Sequence, residues 1–136
     1  MNISYRLSPE VKHPEHMIDV LYAFQFVHNF ISQYNGDANR VLVCGHSAGG
    51  HLVTMCTLYT VCPVPLFDEL NVPKSGDDDD GDDSNHHHHS FDLPTDFVKG
   101  CIPISAVYDL NRVSTMGYLV NRYILEPAFN KHETLN

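Results

Sequence analysis

The sequence predicts an α/β fold in which a mostly parallel sheet is flanked by helices. Three observations lead to this prediction: apolar residues recur at helical spacing over 17–31, residues 41–44 are all apolar, and a second helical pattern follows at 52–59. A short, continuous apolar run suits a strand buried on both faces, as in a parallel sheet. Helix, strand and helix in this order indicate crossover connections between parallel strands.

The first 36 residues predict the end of a strand followed by one amphipathic helix. Residues 2–7 have the character of a strand end, and Ser8-Pro9 predicts a turn. Pro14 suits a first helical turn, where its missing N–H is not needed, and Gly36 suits the end of the helix. The stripe that predicts the helix comprises Met17, Ile18, Leu21, Phe24, Val27, His28 and Ile31.

The second predicted strand, Val-Leu-Val-Cys at 41–44, is followed by Gly-His-Ser-Ala-Gly-Gly at 45–50. A second helix is then predicted from the spacing of Leu52, Val53, Met55, Cys56 and Tyr59. The order of these segments places the glycine-rich sequence at a turn from a strand into a helix.

Residues 61–96 break the periodic pattern and predict a surface loop. Its centre, at about 75–90, is a low-complexity insert of aspartates and of histidines at 86–89. Consecutive histidines in a disordered loop cannot fix a coordination geometry, so no metal site is expected there.

Strand structure is expected to resume at 97–105, although Pro103 cannot donate a hydrogen bond to a central strand. Asp109 and Leu110 are predicted to close this strand. A helix is predicted over 113–125, with Pro127 as its stop. Tyr108 and Tyr118 are expected to pack in the core rather than to contact a substrate.

Composition excludes several classes of protein. The formal net charge is −9, but six of the 17 acidic residues lie at 77–83, and the remaining 11 face 8 basic residues. No basic patch results, which argues against nucleic acid as a partner. No apolar run approaches the ~18 residues of a membrane span.

The four cysteines have no zinc-like spacing and do not suggest a disulfide framework, which favours a reducing, cytoplasmic location. Cys44 and Cys101 lie in apolar runs, where a free cysteine is expected to be buried.

The pattern G-x-S-x-G at 45–49 is the most informative motif in the chain. A serine at a very sharp strand-to-helix turn needs small residues two positions away on either side. Such a turn raises Ser47 Oγ above the sheet edge and directs the backbone N–H of Ala48 toward a developing oxyanion. Gly45, His46 and Gly49 complete this predicted nucleophile turn. The alternative is a glycine-rich turn that only packs.

Several motifs together resemble the α/β-hydrolase fold. They are Tyr-Arg-Leu-Ser-Pro-Glu at 5–10, Tyr-Asn-Gly-Asp at 34–37 with Asn-Arg at 39–40, Gly-His-Ser-Ala-Gly at 45–49 and His-Leu at 51–52. The resemblance is to the esterase branch that contains hormone-sensitive-lipase-like esterases, kynurenine formamidases and prenylcysteine methylesterase-like proteins. Ser-Ala-Val-Tyr-Asp-Leu at 105–110 is similar to the next strand of that branch, so the matching positions cover 3–60 and 97–127.

The resemblance implies that Ser47 is the nucleophile and that Ala48 N–H is one oxyanion-hole donor. It also implies a His-Gly-Gly loop before Tyr5 and an acid and a histidine well after Asp109, none of which has a match here. We therefore expect a partial α/β-hydrolase domain over 1–136, incomplete at both ends.

Local residues offer weaker triad partners. Asp109 and His132, the only later histidine, are a less favoured pair because Asp109 is well suited to cap the following segment. His46 is expected to point away from Ser47. His51, four residues after Ser47, is expected to pack or give polar support rather than act as a base.

The function predicted from these residues is that of a serine hydrolase acting on small carboxylic esters, without a metal or organic cofactor. One alternative is kynurenine formamidase (arylformamidase) activity, which would make the substrate a formamide. Another is a truncated, catalytically inactive hydrolase-like protein. A binding module that uses the acidic loop has the least support, and the oligomeric state is left open.

Overall fold

The computed structural model describes residues 1–62, 91–114 and 126–128. In chain order the elements are helix α1 (Glu15–Phe30), a short 3₁₀ helix (Ile31–Tyr34), strand β1 (Val41–His46) and helix α2 (Ala48–Val61), followed by strand β2 (Val98–Ile104), helix α3 (Leu110–Ser114) and the helical turn α4 (Glu126–Ala128). This order of helices and strands confirms the predicted α/β class.

The sheet in the described ranges has two parallel strands, β1 and β2. Their register aligns Val43 with Cys101, Gly45 with Pro103 and His46 with Ile104, with one irregularity after Val41. Parallel pairing brings the carboxyl ends of both strands to the same edge. The turn at Ser47 and the segment that begins at Ser105 therefore lie beside each other.

The core lies between the two long helices and one face of the sheet. Helix α2 packs on both strands and on α1, and Cys56 Sγ lies 3.6 Å from the carbonyl oxygen of Met17. The most deeply buried side chains are Met17, Leu21, Phe24 and Cys56. Burial raises the pKa of the Cys56 thiol far above its usual range. Most of the predicted α1 stripe therefore faces this core.

Residues 2–7 do not form the predicted strand end. They run beside α1 without a strand assignment, and the backbone N–H of Arg6 donates to Asp19 Oδ2 (2.9 Å) instead of pairing with another strand. A strand forms only where a neighbour supplies the ladder, and no described segment does so here.

The end of the first helix also differs from the prediction. Helix α1 ends at Phe30, and Asn35, with φ of 61°, takes the left-handed position expected of Gly36. Asparagine tolerates this conformation better than most residues. The Gly36 N–H still closes the turn by donating to Ile31 O (3.0 Å).

Strand β1 is covered on one face only by the described segments. Val43 is buried, whereas Leu42 is 68% exposed and Cys44 is also exposed, which corrects the expected burial of β1 on both faces and of Cys44. Val43 belongs to the core cluster with residues of α1 and α2, whereas Leu42 and Cys44 lie on the opposite face of the strand. Cys101 is half-buried.

Two predictions near the carboxyl end of the chain need correction. Helix α3 begins at Leu110, earlier than residue 113, because Asp109 caps it. Pro127 lies in the helical turn α4, and most of the helix that it was predicted to stop lies outside the described residues. Tyr108 is exposed rather than in the core, because its hydroxyl bonds Thr54 Oγ1 on the surface (3.0 Å).

The ends of the predicted 61–96 loop are described. Val61 is the last residue of α2, and Phe91 is buried in the core. The insert at 75–90 with its histidines, most of the 113–125 helix, Tyr118 and His132 lie outside the described residues. No helix in the described part has the length and apolar character needed to cross a membrane.

Candidate active site

Ser47 lies at a sharp turn between β1 and α2. Its backbone has φ 54° and ψ −118°, a left-handed conformation that is unfavourable for a side chain with a Cβ. Two hydrogen bonds hold it: Ser47 N–H donates to Ile104 O (2.9 Å), and His51 N–H donates to Ser47 O (3.1 Å). The end of β2 and the first turn of α2 together hold Ser47 in the strained conformation.

The glycines around Ser47 have different structural roles. A Cβ at Gly45 would collide with the backbone of Gly49 and of Gly50. A Cβ at Gly50 would lie 2.9 Å from Ala106 Cβ and 2.9 Å from Gly45 O. A Cβ at Gly49 would meet nothing within 4 Å among the described residues. The close approach of strand and helix therefore requires Gly45 and Gly50, whereas the motif had indicated Gly45 and Gly49.

The Ser47 hydroxyl is not used to cap α2. Serine at the position before a helix usually accepts a hydrogen bond from a first-turn N–H, but Ser47 makes no such bond. Ser47 is exposed, and Ala48, the first residue of α2, has an N–H without an acceptor inside the helix. A hydroxyl and a helix N-terminal N–H thus lie next to each other, as nucleophilic attack on a carbonyl requires.

Ser47 and Ala48 line a cavity of about 250 Å³. Its polar lining residues besides Ser47 are Ser8, His13, His16 and His51. Its apolar wall is contributed mainly by Leu7, Leu52, Val107, Leu110, Val113 and Ala128. The walls thus come from the N-terminal segment, both long helices and the segment after β2. A largely apolar cavity with a few polar groups is the usual form of a small-molecule site.

His51 gives polar support to this cavity, as the sequence predicted. Its Nδ1–H donates to Val107 O at 2.7 Å, which joins the first turn of α2 to the segment that follows β2. This bond fixes the tautomer with the proton on Nδ1. Since Val107 itself lines the cavity, His51 positions part of the wall.

His16 is a cavity residue that the sequence analysis did not identify. Its Nε2 lies 3.0 Å from Ser8 Oγ, and its ring packs edge-on against Tyr5 with centroids 6.4 Å apart. Burial lowers the pKa of His16, which favours the neutral imidazole. In the sequence, His16 is a single histidine eight positions after Ser8, and no motif marks it as a site residue.

An ion-pair cluster fixes the N-terminal wall of the cavity to α1. The Arg6 guanidinium donates to Asp19 Oδ1 (2.7 Å) and to Glu15 Oε2 (2.9 Å). Its hydrogen bond holds the pKa of the Asp19 carboxyl below the usual range. Tyr5, Leu7 and Ser8 flank Arg6 in the chain, so the cluster holds their backbone near α1.

The proposed triad partners are not assembled by the described residues. Asp109 is exposed and its Oδ1 accepts the N–H of Arg112 (2.8 Å), which is the capping role that the sequence favoured. His46 does not line the Ser47 cavity and lines instead a second cavity of about 690 Å³. Across residues 1–62, 91–114 and 126–128, Ser47 Oγ has no hydrogen-bond partner.

No group of three or more histidine, cysteine, aspartate or glutamate side chains within the described ranges could hold a metal ion. The four cysteines are free thiols.

Comparison with known proteins agrees with this geometry. A family match and curated relatives confirm the resemblance to α/β-hydrolase esterases that the sequence predicted. The chain belongs to the BD-FAE family, whose model matches residues 1–72. No solved structure matches the chain.

The relatives that the chain matches are hydrolases. It is 45% identical over 56 residues to the probable carboxylic ester hydrolase LipM of Mycobacterium tuberculosis, which is 41% of this chain and 13% of LipM. It is 45% identical over 51 residues to a kynurenine formamidase of Debaryomyces hansenii, which is 38% of this chain and 16% of that enzyme. An alpha/beta hydrolase of Acanthamoeba polyphaga mimivirus is 31% identical over 58 residues, 43% of this chain and 17% of that protein. The matches thus span less than one fifth of each relative.

Proposed function

We propose that this chain carries the nucleophile of a serine hydrolase that acts on small carboxylic esters, with Ser47 as the nucleophile. The observation that carries the proposal is the strained Ser47 backbone, with a hydroxyl that does not cap α2 and that lines a cavity. Backbone strain of about 1–3 kcal/mol persists where the surrounding structure enforces it, often at catalytic positions. The esterase relatives support the same reaction class.

In the proposed reaction, Ser47 Oγ attacks the acyl carbon of the ester while a histidine takes its proton. The Ala48 N–H donates to the oxygen of the tetrahedral intermediate, supported by the positive end of the α2 dipole. The intermediate collapses to an acyl-serine as the bond to the alcohol oxygen breaks, and this oxygen takes the proton that the histidine removed from Ser47. Water then repeats the sequence to release the acid. Asp109 and His132 remain the less favoured candidates for acid and base, since Asp109 caps α3.

The test is labelling of the full chain with a fluorophosphonate probe, together with turnover of p-nitrophenyl acetate. We expect the label on the peptide that contains Ser47, and we expect Ser47→Ala to abolish both labelling and turnover. Ser32→Ala, which removes an exposed hydroxyl in the 3₁₀ helix, is the matched control and keeps both. A wild-type chain that is folded, unlabelled and without turnover contradicts the proposal and favours the inactive alternative.

A second candidate function, hydrolysis of an N-formyl amide, is favoured by the kynurenine formamidase relatives. The same attack by Ser47 on a formyl carbon would release an aryl amine instead of an alcohol. Turnover of N-formyl-kynurenine and of p-nitrophenyl acetate by the same preparation separates the two. A kcat/KM at least tenfold higher for the formamide favours the formamidase, and the reverse ratio favours the esterase.

A further inference from the structure

His16 is an imidazole in the wall of the Ser47 cavity that the proposed reaction does not use. It lies on α1, thirty-one positions before Ser47, and reaches the cavity beside Ser8 and Tyr5. It is half-buried, and most of the wall around it is apolar. A polar group retained in an apolar wall costs desolvation energy unless a partner satisfies it.

The hydrogen bonds of Ser8 determine which nitrogen of His16 carries the proton. The contacts of Ser8 Oγ with Val11 O (3.2 Å) and with His16 Nε2 (3.0 Å) are both hydrogen bonds only when the Ser8 proton is donated to Val11 O and Nε2 carries the proton of the ring. The neutral ring then has an unprotonated Nδ1, which is a hydrogen-bond acceptor. Among the described residues this nitrogen has no hydrogen-bond partner, and His16 lines the cavity.

The volume of the cavity limits what that ligand can be. An apolar cavity of about 150 Å³ holds one benzene molecule, so the 250 Å³ here admits a ring with a few further heavy atoms. A site that offers a hydrogen-bond acceptor discriminates against an analogue that lacks the matching donor.

We propose that His16, held by Ser8, is the specificity-determining residue of the Ser47 cavity and accepts a hydrogen bond from an O–H or N–H group on a small, otherwise apolar substrate. This inference rests on the proposed function, because it names the class of substrate that reaches Ser47. An amine or hydroxyl next to an aromatic ring fits both the volume and the acceptor.

The test uses phenol and anisole, two ligands of similar size of which only phenol has a donor. Their dissociation constants are measured with the full chain by NMR titration, which needs no catalysis. One hydrogen bond contributes about 0.5–1.5 kcal/mol, so the wild type is expected to bind phenol about two- to tenfold more tightly than anisole. His16→Phe, which keeps a ring without an acceptor, is expected to lower the ratio to one. His16→Gln, which keeps both a donor and an acceptor, is expected to keep most of it.

His28→Gln is the matched control, since His28 lies on the same helix and does not line the cavity. A phenol preference that persists in a folded His16→Phe variant overturns the inference, and so does a wild type without preference. Ser47→Ala separates this result from the proposed function. If Ser47→Ala loses labelling and keeps the phenol-to-anisole ratio, the proposed hydrolase function and the role of His16 are both supported. If the wild type prefers phenol but is never labelled by the fluorophosphonate, only the hydrolase function is overturned.

Discussion

The backbone of Ser47 is held at φ 54° by the elements around it, and glycine is the residue that adopts this conformation without strain. Ser47→Ala removes the hydroxyl but keeps the strain, whereas Ser47→Gly removes both. We expect Ser47→Gly to be about 1 kcal/mol more stable than Ser47→Ala, as measured by urea unfolding. Equal stabilities would show that the strain is absent in solution and would contradict the role proposed for Ser47.

The two glycines that flank Ser47 in the motif are predicted to respond differently to the same substitution. Gly45→Ala places a methyl group against the backbone of Gly49 and Gly50, so we expect a loss of about 1–3 kcal/mol or more. Gly49→Ala adds a methyl group to open space in a helix, so we expect a gain of about 0.5–1 kcal/mol. Thermal unfolding of both variants measures the difference. A destabilised Gly49→Ala would contradict the open space at that position.

The sequence predicted the turn at Ser47 but not every contact that the turn depends on. The run Val-Leu-Val-Cys followed by G-x-S-x-G predicted that Ser47 joins a strand to a helix, which the structure confirms. Crowding at Gly50 depends on Ala106, which is 56 positions away, and no local pattern contains such a contact. His16 was missed for the same reason, since only the folded chain shows which helix face lines the cavity.

At the scale of the elements, the His51–Val107 bond joins α2 to the segment that follows β2. His51→Phe keeps a ring of similar size and leaves the Val107 carbonyl without this donor, so we expect a loss of about 1–2 kcal/mol. Under the proposed function, a displaced Val107 also alters the cavity and raises KM for p-nitrophenyl acetate more than it lowers kcat. Tyr108→Phe, which removes the exposed bond to Thr54, is the control and is expected to stay within about 0.5 kcal/mol of wild type. Equal losses in both variants would contradict the special role of His51.

The helices and strands that have a strong apolar period were predictable, and the segments held by side chains were not. Helix α1 carries an apolar stripe, α2 is rich in apolar residues, and β1 lies in a continuous apolar run, so the sequence pattern located these elements. Strand β2 was located although Lys99 and Gly100 interrupt its apolar residues. Residues 2–7 have a strand-like composition, but Arg6 and Asp19 hold them by ionic contacts between positions 13 residues apart. Asp109 was predicted both to close a strand and to cap the segment after it, and only the cap is found, because β2 ends at Ile104.

For the whole molecule, two ionisable groups of α1 that contact the N-terminal segment, His16 and Asp19, predict lower stability in acid. Burial lowers the pKa of His16 below its ordinary 6.5, so the unfolded chain takes up this proton first as the pH falls. Stability linked to His16 is therefore present above pH 6.5 and is lost as the pH falls from 6.5 through the pKa of the folded state. The Arg6 hydrogen bond lowers the pKa of Asp19, so its contribution is present above pH 3.8 and is lost below that value.

Variants at His16 and at Asp19 measure the two contributions one at a time. Urea unfolding of the wild type is expected to give a free energy of unfolding that increases between pH 5 and pH 7, and His16→Phe is expected to flatten this increase because the variant has no proton to take up. Asp19→Asn keeps the rise between pH 5 and pH 7 and instead flattens the loss of stability below pH 4. A His16→Phe variant with the wild-type slope between pH 5 and pH 7 would show that His16 is not buried as a neutral ring against Ser8. The acceptor nitrogen in the cavity would then have no structural basis.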